Sequence, residues 1–209
     1  FTRIAAAIVI ILAVGVPTIY FSIQHAPGTA MIEHSSENGV LTVDLPDGSR
    51  VFLNEGATLN YRRSFEEKRE VNLRGEGFFN VMSDPKRPFN VNSGKVVVTV
   101  LGTSFNVKES LVKNSVEVFV ESGSVKVSMN DINESITLEP GDVVTARNTL
   151  SETVLGNDNY LSWKTKDFKF VDESIEDILH VLTQSYHVEV KAEEMSLQDM
   201  RLTTSYYDQ

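Results

Sequence analysis

The residues that most often carry chemistry are sparse in this 209-residue chain. Its four histidines are His25, His34, His180 and His187, and it has no cysteine. No two histidines stand at metal-binding spacing and none belongs to an HExxH pattern. The lack of thiols excludes disulfide frameworks, thiolate nucleophiles and Cys-ligated metals. There is no GxSxG elbow, no Walker loop and no dinucleotide fingerprint. Gly75-Glu76-Gly77 lacks the third glycine and the following helix, so it reads as a bulge or a close-packing site in a strand. Glu66-Glu67 and Glu193-Glu194 read as solvated charge. So does the basic stretch Arg62, Arg63, Lys68, Arg69, Arg74, Lys86 and Arg87, which Glu66, Glu67, Glu70, Glu76 and Asp84 dilute. These residue types suggest no enzyme, no metal centre and no cofactor. Nineteen Lys and Arg against 29 Asp and Glu give a net charge of −10. Such a chain repels phosphate backbones, which argues against nucleic acid as a partner.

The elements that would position any site are mostly strands. From Gly39 to about Leu155 apolar residues alternate with polar ones. Leu41, Val43 and Leu45 lead into the turn Pro46-Asp47-Gly48. Val96, Val98 and Val100 share a face, as do Phe105 and Val107, and Val116, Val118 and Val120. Runs of about 4–8 residues with turns every ~8–12 predict an all-β domain, either sandwich- or solenoid-like, with no strict repeat. Its core should hold Val98, Val100, Phe105, Val107, Val118 and Val120. Nothing in this stretch reads as a ten-residue helix. After Tyr160 the pattern changes. Phe168 and Phe170 alternate as in a strand. Ile175, Ile178, Leu179 and Leu182 then fall on one helical face, with Asp172 or Ser174 as the cap. His187-Val188-Glu189-Val190 reads as a following strand, completing a β-α-β unit, and a further strand is expected near Leu202. From Leu150 onward 12 acidic and 5 basic residues leave a net charge of −7, most of the total.

Ile4 to Ile23 forms an uncharged run of 20 residues. As a helix it would be ~30 Å long, the thickness of a bilayer core. It is longer than a signal-peptide apolar region, His25-Ala26-Pro27 is a poor cleavage site, and no cysteine offers a lipoprotein anchor. A single transmembrane helix is therefore expected. Arg3 lies on its cytoplasmic side and the acidic bulk lies outside the cytoplasm. The expected organisation is a transmembrane helix over 1–24, a linker over 25–38, an all-β domain over 39–155, and an α+β segment over 160–209.

Several motifs occur in a fixed order: LPDGSRVFLNEGATLNY (45–61), REVNLRGEGFFNV (69–81), PFNV (88–91), VLGTSFNV (100–107) and LEPGDVV (138–144). Together they resemble the periplasmic domain of the FecR family of transmembrane sigma-factor regulators. The tail resembles part of the secretin/TonB short N-terminal domain. The resemblance implies an inner-membrane protein with its bulk in the periplasm. It would relay the state of an outer-membrane TonB-dependent transporter, read through that transporter's signalling domain, to an extracytoplasmic-function sigma factor. Only Phe1 to Arg3 precede the span, so the sigma-factor-binding region is expected upstream. Phe168, Phe170, Leu202 and Tyr206 are the expected partner-binding residues, because a strand edge in the tail can accept a strand from another chain. The alternative is a periplasmic ligand-binding or envelope-assembly protein with the same β fold.

The resemblance also singles out Gly102-Thr103. Some family members cleave themselves at a Gly-Thr bond in the corresponding motif. There, the Thr103 hydroxyl would attack the Gly102 carbonyl to form an ester that water hydrolyses. The competing reading is that Gly102 turns the chain and Thr103 packs in the next strand. No general base for Thr103 is evident in the sequence.

Overall fold

The computed structural model describes residues 11–18, 20, 30–66, 68–155, 158–188, 190 and 200–207. In chain order the strands begin with β1 (Met31–Ser35), β2 (Leu41–Asp44), β3 (Arg50–Leu53), β4 (Thr58–Arg62), β5 (Arg69–Arg74), β6 (Glu76–Asn80) and β7 (Phe89–Ser93). They continue with β8 (Val96–Val100), β9 (Ser104–Ser110), β10 (Ser115–Ser122), β11 (Val125–Met129), β12 (Glu134–Leu138), β13 (Val143–Ala146) and β14 (Leu150–Thr153).

These strands form two seven-stranded open sheets. The first runs β1-β4-β5-β7-β8-β11-β12, and the second runs β2-β3-β6-β9-β10-β13-β14. Each sheet is in sequence order, because the chain lays down one or two strands and then crosses to the other sheet. The result is a sandwich that grows in one direction like a solenoid, so both expected descriptions apply. Pairing is antiparallel except between β5 and β7. There the chain leaves the first sheet to make β6 in the second and returns beside β5 in the same direction.

Alternation drives this arrangement, since side chains at every second position face the same way. The inward residues of both sheets form one core, including Val51, Leu59, Val71, Phe79, Phe89, Val98, Phe105, Val107, Val118 and Val127. All six residues expected there are buried. Aromatic rings bridge the two layers. Phe65 meets Phe89 edge-on at 6.1 Å, Phe89 lies 6.4 Å from Phe79, and Phe79 stacks on Phe105 at 5.1 Å.

Two charged residues that read as solvated are in fact buried. Arg69 donates to the carbonyls of Arg87, Met82 and Asp84, pairs with the Asp47 carboxylate at 3.1 Å, and sits over the Phe89 ring. It thereby holds the 82–87 loop that returns the chain to the first sheet. Glu76 is also buried, in a network described below. Local composition misleads here because burial depends on partners supplied from distant strands.

The tail follows as α1 (Ser162–Thr165), β15 (Phe168–Ser174), α2 (Ile175–Tyr186) and β16 (Arg201–Tyr206). It has a separate core of Phe168, Phe170, Ile178 and Val181, with Ile175 and Leu182 against it. Ser174 caps α2 as expected: its Oγ accepts the Asp177 N–H and donates to the Asp177 carboxylate.

Two sequence boundaries need correction. The expected linker over 25–38 contains β1, which pairs with β4 from Met31↔Arg62 to Ser35↔Thr58. The signal was weak because only Ile32 and His34 of this edge strand turn inward; His34 stacks on Tyr61. Among the described residues of the expected strand at 187–190 none is a strand: His187 takes a left-handed conformation that closes α2, Val188 lies in a bend, and Val190 is irregular. The strand that completes the tail is β16, antiparallel to β15.

The expected span Ile4–Ile23 lies mostly outside the described residues. Ile11–Gly15 is π-helical, and no helix among the described residues is long and apolar enough to cross a membrane.

Candidate functional site

Gly102 and Thr103 connect β8 to β9 and are packed on two sides. A Cβ on Gly102 would lie 2.5 Å from the Ser83 Cα, so only glycine fits against that backbone. The neighbouring loop is tied here by two backbone bonds, Val81 N–H to Thr103 O and Asp84 N–H to Leu101 O. Gly123, at φ +83°, closes over the same peptide: a Cβ there would meet Thr103 Oγ1 at 2.9 Å and Gly102 O at 3.1 Å. Thr103 is buried, and its hydroxyl donates to the Ser124 carbonyl at 3.0 Å. A neutral amide oxygen holds that proton without removing it, so the contact supplies no general base. Both residues thus have a packing role.

The four tail residues expected to bind a partner divide into two pairs. Phe168 and Phe170 are buried in the tail's own core, because β15 turns these alternate residues toward α2. Leu202 and Tyr206 are exposed, as is every residue of β16.

The most elaborate polar arrangement joins the tail to the second sheet, on the face opposite the core. Phe52, Phe78, Asn106, Phe119 and Val143 are cross-strand neighbours on β3, β6, β9, β10 and β13, so they form one row across the sheet. Beside it runs a charged row, Glu76, Lys108 and Glu117. The outer face of an antiparallel sheet is usually polar. Here Phe78 and Val143 are 2% and 3% exposed, yet neither belongs to the sandwich core.

The tail covers Phe78 and Phe119. The Tyr160 ring meets Phe119 edge-on at 5.3 Å. Its hydroxyl donates to Glu117 at 2.8 Å and accepts from Asn106 at 3.2 Å. Lys164 Nζ stands 3.6 Å from the Phe78 ring centre and 5.3 Å from that of Phe52, a cation–π arrangement. His187 donates to Asn54 Oδ1 at 2.8 Å. Glu76 accepts from Asn54 and Asn106 and pairs with Lys108 at 3.3 Å.

Burial, and then the charges of Glu117 and Glu76, push the Tyr160 ionisation far above the usual phenol range, so the hydroxyl stays protonated and can donate. Burial lowers the Lys164 ammonium, while Glu121 opposes the shift. A cavity of about 250 Å³ lies between Asn54, Glu76 and Lys108 of the sheet and Tyr160, Trp163 and His187 of the tail. Two buried atoms in this region, Asn106 Oδ1 and Trp163 Nε1, have no hydrogen-bond partner.

Sequence reading missed this seat. The available signal was phase: Phe52, Phe78 and Phe119 occupy outward positions of strands whose inward positions are already apolar. The seat's two carboxylates are engaged by amide, phenol and ammonium donors.

The FecR protein family model matches residues 33–126, from within β1 to within β11. Two crystal structures, each described as a candidate anti-sigma factor from Parabacteroides distasonis ATCC 8503, are similar to the chain. One has 29% identity and a TM-score of 0.64 over 86% of each chain. The other has 30% identity and a TM-score of 0.63 over 85% of each chain. No curated protein matches. At this coverage the likeness extends beyond the family segment, and the chain belongs to the FecR family of regulators.

Proposed function

We propose that the protein is a single-pass inner-membrane regulator whose periplasmic sandwich and tail relay a signal from an outer-membrane TonB-dependent transporter to an extracytoplasmic-function sigma factor. The observation that carries this reading is the FecR match over 33–126, together with neighbours described as candidate anti-sigma factors. The uncharged Ile4–Ile23 run supports the membrane anchor. The tail supports a docking role, because β16 is exposed along its whole length and two-stranded sheets leave backbone groups free at their edges. In this reading the protein acts by binding.

Two measurements test the proposal. Deleting the gene should change transcription from a promoter that depends on the cognate sigma factor; unchanged output overturns the regulatory assignment. The transporter's signalling domain should bind the full chain, and Leu202→Glu with Tyr206→Glu should weaken that binding at least tenfold. Equal binding by the double variant moves the interface off β16, and no binding by the unmutated chain removes the transporter from the scheme.

A further inference from the structure

We propose that residues 158–187, together with β16 paired to β15, form a releasable latch, which lifts off the second sheet as one body and uncovers Phe52, Phe78 and Phe119. Three observations support it. First, the tail and the sandwich do not share an apolar core: Phe168, Phe170, Ile178 and Val181 form one cluster, and the sandwich residues form another. Elements with separate cores can part without unfolding either.

Second, the segment is tied to itself. Asn159 exchanges two hydrogen bonds with the Lys169 backbone, at 2.7 and 2.9 Å. The Ser162 and Ser185 hydroxyls meet at 2.6 Å, and the Lys166 ammonium donates to the Ser185 carbonyl. α1, β15 and α2 therefore move together.

Third, the seat is polar around its rim and imperfectly satisfied. Tyr160 with Glu117 and Asn106 forms one catch, and His187 with Asn54 forms the other. Asn106 Oδ1 and Trp163 Nε1 are left without partners in the closed seam. On opening, water replaces the rim's hydrogen bonds, which keeps the cost of release low. The aromatic row pulls the other way, so the closed state is favoured but not locked.

Trp163 is the chain's one tryptophan, so its fluorescence reports on the seam alone. The test follows the full chain, in mild non-ionic detergent, through a urea titration. Three signals are read: Trp163 emission and acrylamide quenching, far-ultraviolet dichroism of the strands, and amide exchange of Ile175–Tyr186. The latch predicts that Trp163 becomes quenchable at lower urea than the strands melt, while α2 amides remain protected. Tyr160→Phe, which removes the donor, and Glu117→Ala, which removes the acceptor, should each move the first step to lower urea and leave the second in place. Coincidence of the tryptophan and strand signals in the unmutated chain and both variants overturns the proposal. So does loss of α2 protection in the same step as Trp163 exposure, which shows the tail unfolding rather than undocking.

Discussion

Arg69 shows how far a single residue's role departs from its local context. In sequence it is one of several charges in a mixed run; in the fold it joins β5 to the 82–87 loop and to Asp47. Removing it leaves a buried carboxylate unpaired, so Arg69→Ala should destabilise the sandwich by about 3–5 kcal/mol, measured by chemical denaturation. Phe105→Ala should cost a similar ~3–5 kcal/mol, because the ring is fully buried and stacked on Phe79. Its inward position was legible from alternation alone, whereas the role of Arg69 depends on acceptors 13 to 22 residues away. Gly102 and Thr103 lie between these cases. The motif marked them, but the closeness of Ser83 and Gly123 appears only in the fold. Gly102→Ala forces a Cβ against the Ser83 backbone and should cost about 1–3 kcal/mol, read as a lower melting temperature. Given the packing of Thr103 and its carbonyl partner, purified protein should keep a single intact mass on long incubation. Fragments 1–102 and 103–209 that vanish in Thr103→Ala would instead assign the hydroxyl as a nucleophile.

At the scale of elements, what could be read depended on how local the determining contacts are. The start of α2 was readable because Ser174 bonds Asp177 only three residues on. Ser174→Ala should therefore cost about 1 kcal/mol, detected as a lower midpoint for the tail's helical signal with the sandwich transition unmoved. The end of α2 was misread. His187-Val188-Glu189-Val190 alternates like a strand, yet His187 adopts a left-handed turn and bonds Asn54, 133 residues earlier. β1 was missed for a related reason, since an edge strand with two inward residues leaves little periodic signal. The seat beneath the tail was invisible as a site because each strand looked normal by itself. Only the register that aligns Phe52, Phe78, Asn106, Phe119 and Val143 turns scattered outward residues into a surface. Alternation assigns a residue to a face; it does not say which strand lies beside it.

For the whole molecule, the sequence-ordered growth of both sheets fixes where a membrane anchor before β1 would attach. β1 is the outermost strand of the first sheet, and its Met31 end pairs with Arg62. The β9–β10 tip lies at the opposite end of the strands: Thr58 pairs with Arg74, β7 runs parallel to β5, and the β7–β8 turn at Gly94 packs against Glu109. If Ile4–Ile23 spans the membrane, the chain from Ile23 to Met31 reaches at most ~29 Å. That keeps the Met31 end within this reach of the bilayer. With Arg3 before the run and Glu33 and Glu37 after it, the sandwich should lie on the periplasmic side. The lack of cysteine makes this directly measurable. Val112 is 99% exposed at the β9–β10 tip, so Val112→Cys introduces one reactive thiol without disturbing the core. In intact spheroplasts a membrane-impermeant maleimide should label this variant fully, before any lysis. Labelling that requires lysis places the sandwich in the cytoplasm and rules out reception of a periplasmic signal. Labelling without lysis, together with release of the protein by a carbonate wash, keeps the compartment but removes the membrane span.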